Sequence, residues 1–135
     1  MVAENEAAYA AGLFDGEGSI TLTRHHRNRW PSPQVAVAST DREVLEWLRS
    51  RFGGTIATKQ PRSPNHSISY DWRLTDRQAL AFLAVIRSHL MIERKIRRVD
   101  LLLEAYVSCT PRNGRYTAEV AAQKHALIEQ FFSLP

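Results

Sequence analysis

The chain has 135 residues, the length of one domain with one sizeable core, and 44% hydrophobic against 24% charged residues excludes an intrinsically disordered chain. No apolar run is long enough for a membrane span or a secretory leader, and the single Cys109 excludes an internal disulfide framework and a cysteine-built zinc site. The sequence therefore reads as an intracellular protein with Cys109 as a small buried hydrophobe. The formal charge of +4 is modest but unevenly spread: no acid stands between Gly18 and Thr40 or between Trp47 and Tyr70. Those windows hold Arg24, His25, His26, Arg27 and Arg29, then Arg49, Arg51, Lys59, Arg62 and His66, and both suit a polyanion.

From Glu4 the stretch ENEAAYAAGLFD is rich in Ala and runs into Gly16 and Gly18, which predicts a helix over residues 4–16. Ser19–Arg27 and Gln34–Ser39 alternate apolar with polar or small residues and predict two strands, joined by the proline-bearing loop NRWPSP. Ile20 and Leu22 are expected to face the helices, with Thr21, Thr23 and His25 on the opposite side. Thr40 or Asp41 can cap a helix with Val44, Leu45, Trp47, Leu48 and Phe52 on one stripe, stopped by Gly53 and Gly54. Thr55–Lys59 and Ser67–Leu74 read as a second hairpin around PRSPN, with Ser67, Ser69, Asp71 and Arg73 opposite Ile68, Tyr70 and Trp72. A helix after Thr75 or Asp76 ends near Ser88, another spans Glu93–Tyr106, TPRNG breaks the chain, and a last helix covers Thr117–Phe132. Trp47 and Trp72 are expected in the core, while Trp30 fits either a sugar-phosphate contact or packing on Pro31 and Pro33. The order αββαββα with a helical tail predicts one α+β domain over residues 1–135, a four-stranded antiparallel saddle with helices on one face. The open polar face suits a nucleic-acid groove, and is equally what a half-solvated sheet shows.

The first helix carries the chemistry. Ala8, Gly12 and Gly16 recur every four residues beside Ala7 and Ala11, so one face has almost no side chains and a second helix can approach it closely. Asp15 and Glu17 sit at the negative pole of the helix dipole, an unfavourable place that a cation would relieve. Two such helices packed about a two-fold axis would bring their Glu17 carboxylates together around a divalent metal.

The segment AAGLFDGEG, Ala10 to Gly18, resembles the LAGLIDADG motif, with Phe14 in the place of Ile, Gly16 in that of the second Ala and Glu17 in that of the second Asp. With the αββαββα order, the chain looks like a single-motif LAGLIDADG homing endonuclease over roughly residues 5 to 132. An EF-hand reading of DGEGS fails, because its loop would need a glutamate where His26 stands.

The resemblance implies a homodimer held by paired motif helices, with Ala8, Ala11, Gly12, Asp15 and Gly16 at the interface. It implies metal-assisted hydrolysis of both strands of a long, near-palindromic double-stranded DNA site, with Mg2+ as cofactor and Mn2+ as a substitute. Glu17 matches the metal-binding acid with the Gly16 carbonyl beside it, and Lys95 the family's peripheral basic residue. Ser39 stands where the family often has Gln or Asn, and Glu43 aligns where some members carry a basic residue. The DNA-contact candidates are Arg24, His26, Arg27, Arg29, Gln34, Lys59, Arg62, Ser69, Asp71 and Arg73, side chains able to hold phosphates or read base edges. No membrane or small-molecule partner is expected. With no further domain around the motif, a free-standing or intron-encoded gene is favoured over an intein. The alternatives are a non-cleaving DNA-binding or intron-splicing, maturase-like protein on the same fold, motivated by Ser39 and Glu43, and a dimeric α+β protein that binds no nucleic acid.

Overall fold

Alternation of apolar with small or polar residues builds the sheet, and the Gly and Pro positions set its corners. The computed structural model describes residues 2–61, 63–65 and 67–135. Helix α1 (Glu4–Glu17) leads directly into β1 (Gly18–Thr23), followed by β2 (Ser32–Ser39) and α2 (Arg42–Phe52). Strands β3 (Thr55–Lys59) and β4 (Ser69–Thr75) follow, then α3 (Asp76–Ile86), α4 (Glu93–Ala105) and α5 (Ala118–Ser133), with 3-10 turns at Arg87–His89 and Val107–Cys109. The sheet is antiparallel in the order β1-β2-β4-β3, which puts the two hairpins side by side through β2 and β4. This is the expected αββαββα architecture.

Register fixes which residues share the open face. Ser19 lies beside Ala36, which lies beside Arg73, which lies beside Thr55; in the next row Ala38, Asp71 and Ala57 are neighbours. On the other face Ile20, Leu22, Val35, Val37, Trp72 and Leu74 are buried against Phe14, Leu45, Leu48 and Phe82 of the helices. Trp72 is the centre of this core: its ring meets Phe82 edge-on at 5.2 Å and its Nε1–H donates to the Gly53 carbonyl at 2.8 Å. Gly54 is required beside it, since it takes φ +96° and a Cβ would stand 2.5 Å from the Arg73 carbonyl oxygen.

Several boundaries differ from the sequence reading. The strand expected to run to Arg27 stops at Thr23, so His25 and the basic cluster stand on a loop beyond the sheet. Strand β2 begins earlier than expected, at Ser32, and admits Pro33 because β4 starts pairing only at Gln34, where an N–H is first needed. Strand β4 starts at Ser69, and Ile68, expected on the buried side, is 45% exposed. Trp47 is half-buried: it packs edge-on against the exposed Tyr9 at 5.1 Å on the rim of the core.

The same core extends between α4 and α5 through Leu102, Leu127 and Phe131, where Lys124 is fully buried. The Lys124 ammonium lies 3.8 Å from the centroid of the Tyr106 ring and donates to the Thr110 hydroxyl. Burial pushes Lys124 down to about 8, with Cys109 and Asp76 opposing and Arg77 reinforcing; burial pushes the neighbouring Tyr106 up to about 12. Between pH 8 and the ordinary lysine value the unfolded chain holds the proton that the folded chain releases, so stability rises with pH there. Tyr106 acts in the opposite sense only above pH 10. A denaturation series from pH 8 to 10 is expected to show this rise, and Lys124→Met is expected to flatten it.

Candidate functional site

Two rows of side chains leave α1 on its exposed side. Ala8, Gly12 and Gly16 form one, and a Cβ built at either glycine meets nothing within 4 Å. The fold of a single copy therefore gives no reason for glycine at these positions. Tyr9, Leu13 and Glu17 form the adjoining row and line a shallow groove against Ser39, Asp41 and Ser69, where β2 passes into α2. The structure thus brings Glu17 and Ser39 to one groove and sets Gly16 at its edge. Ala11, expected on the interface side, is instead fully buried in the chain's own core, because it lies one position round the helix from the open row.

The turn from α1 into β1 fixes Glu17. A Cβ on Gly18 would stand 2.5 Å from the Phe14 ring and 2.7 Å from the Phe14 carbonyl oxygen, so only glycine lets the strand leave so close under the helix. Glu17 is consequently the last helical residue, exposed, and among the described residues it makes no ion pair or side-chain hydrogen bond.

Lys95 approaches the same helix end from beneath. Its Nζ donates to the carbonyls of Phe14 at 2.8 Å and Asp15 at 2.7 Å and is buried. Burial and Arg94 push the ammonium below the usual lysine range, and the carboxylates of Asp15 and Glu17 oppose this. The cation that the helix pole calls for is thus supplied in part from within the chain. Asp15, expected between two copies, accepts from the backbone N–H groups of Met91 at 2.9 Å and Ile92 at 3.1 Å, ahead of α4. Its carboxylate delivers Lys95 to the helix end. Asp15→Ala is expected to cost about 1–2 kcal/mol, read as a lowered denaturant midpoint.

Ser39 Oγ accepts from the Asp41 N–H at 2.9 Å and so tightens the turn into α2. Glu43 lies one helical turn from Trp47 on α2, and both line a groove against Tyr9 of α1.

On the open sheet face Asp71 is almost fully buried between Lys59 Nζ at 3.1 Å and Arg73 Nη2 at 3.0 Å. Both cations meet the same oxygen, Oδ2, so Asp71 orients two exposed cations, and its burial leaves little of it open to a base edge. Gln34 and Ser69 are half-buried on the same face, beside Thr75 and Lys59. Arg24, His26, Arg27 and Arg29 are exposed on the β1–β2 loop. Arg62 and His66 lie outside the described residues.

Two functional features escaped the sequence reading. The groove-lining Tyr9 and Leu13 precede Glu17 by eight and four residues, and that i, i+4, i+8 spacing was the available signal. In the Lys59–Asp71–Arg73 group strand alternation already put Asp71 and Arg73 on one face, whereas Lys59 joins them only through the register of β3 against β4.

A metal at Glu17 would find hard oxygen donors: one free carboxylate and a neighbouring backbone carbonyl. Among the described residues no three His, Cys, Asp or Glu side chains gather as ligands. This donor set fits a magnesium-type ion, which commonly takes one or two protein carboxylates with water and substrate phosphate. It does not fit a cage built by one chain alone. Among the described residues no helix is long and apolar enough to cross a membrane.

The family described as LAGLIDADG-like domain matches residues 4–87. No curated protein matches the sequence. Among solved structures, homing endonuclease I-CvuI in complex with its target and calcium superposes with a TM-score of 0.73 at 16% identity, covering 98% of this chain and 83% of that one. The homing endonuclease I-TnaI gives 0.67 at 19% identity, covering 96% and 87%. The homing endonuclease I-SmaMI bound to uncleaved DNA gives 0.63 at 20% identity, covering 93% of this chain and 44% of that one.

Proposed function

The chain belongs to the LAGLIDADG-like domain family, and from that premise we propose that it is a site-specific double-strand DNA endonuclease of the homing type. It acts as a homodimer of one domain, residues 1–135, on a long near-palindromic site, with Mg2+ as cofactor and Mn2+ as a substitute. The observation that carries this reading is Glu17: an exposed carboxylate, unpaired among the described residues, at the end of a helix whose adjoining row is only Ala8, Gly12 and Gly16.

A second copy seated on Ala8, Gly12 and Gly16 brings two Glu17 carboxylates together at the two-fold axis. Glu17 and the Gly16 carbonyl would hold a divalent ion, which when bound would supply activation of a water and charge stabilisation for phosphodiester hydrolysis. Lys95 fixes the helix end that carries them and adds positive charge beside the scissile phosphate. Ser39, through its hold on Asp41, keeps the far wall of the groove in place. The open sheet face supports this reading, with Arg73 and Lys59 aimed by Asp71, Gln34 and Ser69 near them, and the basic loop beyond.

One observation favours the non-cleaving, maturase-like alternative: the Ser39 hydroxyl is engaged in its own turn and offers no carboxamide to the site. The experiment that separates the readings exposes the protein to a randomised duplex library with magnesium or calcium and sequences cut ends and bound fraction. Staggered, magnesium-dependent cuts in one near-palindrome support the endonuclease. Enrichment of a near-palindrome without cuts in either ion establishes the alternative, and absence of any binding refutes both.

A further inference from the structure

Another acid-free stretch runs between Glu104 and Glu119, and it holds Arg112 and Arg115. Both are exposed, and among the described residues neither makes an ion pair. The loop that carries them is firmly held. At its start the Thr110 hydroxyl donates to the Tyr106 carbonyl at 2.6 Å and accepts from the buried Lys124 ammonium. At its end the Tyr116 ring, 5.8 Å from the same ammonium, packs on Trp30 with centroids 5.7 Å apart. Trp30 thereby bridges the β1–β2 loop to residues 110–117, a contact the sequence did not show.

Arg29 and Arg115 are the chain neighbours of the two packed rings. The bridge thus joins Arg112 and Arg115 to Arg24, Arg27 and Arg29, a cluster of five arginines that ion pairs within the described chain do not neutralise. Such a concentration of like charge fits a polyanion with regularly spaced charges. Strand β1, six residues long, separates this cluster from Glu17 by about 20 Å, at about 3.3 Å per residue.

We propose that the 110–117 loop and the β1–β2 loop form one clamp on the phosphate backbone of duplex DNA, with Arg112 and Arg115 as contacts beyond the sheet. The clamp rests on the DNA-binding reading above and deepens it. Its arginines hold phosphates, so they strengthen binding to any sequence and fix register without selecting bases.

The test is the salt dependence of binding to a labelled random-sequence duplex in calcium, followed by anisotropy between about 50 and 200 mM salt. The double variant Arg112→Gln/Arg115→Gln is compared with Arg42→Gln/Arg97→Gln, which loses the same charge from two helical ion pairs. The slope of log K against log salt is expected to become shallower by about 1.8 per bound protomer in the first variant, about 3.6 for the homodimer at ~0.9 per phosphate, and to hold in the second. An unchanged slope in the first variant, or an equal change in both, overturns the clamp while leaving DNA binding intact. No salt-dependent binding by the unsubstituted protein refutes the DNA reading itself and the clamp with it. Trp30→Ala removes no charge and is expected to weaken binding severalfold by freeing the loop; unaltered affinity contradicts the bridge.

Discussion

Replacing Glu17 with glutamine is expected to lower cleavage by at least about 1000-fold, about 4 kcal/mol of transition-state stabilisation, while binding of the selected duplex in calcium is kept. The amide has the shape of the carboxylate but no charge with which to hold a divalent ion. Folding is expected to hold or improve slightly, because a carboxylate at a helix C-terminus is unfavourable by about 0.3–1 kcal/mol and Glu17 makes no compensating ion pair among the described residues. Loss of Glu17 also removes one of the two carboxylates that raise the Lys95 pKa, so Lys95 is expected to titrate lower in the variant. Cleavage at the unsubstituted rate would remove Glu17 from the chemistry and with it the proposed site.

Gly12→Leu addresses the architecture with the chemistry intact. A side chain at Gly12 enters open space in a single copy, so the variant monomer is expected to melt within about 0.5 kcal/mol of the original. In the proposed dimer the same leucine stands between two helix backbones and appears twice by symmetry, at about 1–3 kcal/mol each. Dimer affinity is expected to fall about 30-fold or more, with double-strand cleavage lost in parallel. Sedimentation at fixed concentration reads the first effect, and the ratio of linear to nicked product reads the second. An unchanged dimer mass with full cleavage would place the interface elsewhere.

The part of this protein legible in its sequence is the part written in local periodicity. Ile20, Leu22, Val35 and Val37 alternate with small or polar residues, and the alternation alone assigned them to the covered face, where all four are buried. The glycine row of α1 and the carboxylate at its end were visible as spacing, and the order of the elements followed from turn residues. The length of β1 was not legible. Its polar pattern runs past Thr23, but β2 offers a partner only up to Ser32, so the arginines that read as strand fell on a loop.

What the tertiary structure decided were the partners of charged groups. The sequence showed Asp15 and Glu17 at a helix pole and asked for a cation; only the packing of α4 under α1 showed that Lys95, eighty residues on from Asp15, lies there. Asp71 read as a base contact, and only strand register showed Lys59 and Arg73 both on its Oδ2. Trp30 read as a loop residue until Tyr116 was found on it. The physical reason is one of range. Backbone propensity and hydrophobic alternation act within a few residues and so are written in the local sequence, whereas a buried charge is stabilised only by groups a few ångströms away, and the fold draws these from anywhere along the chain.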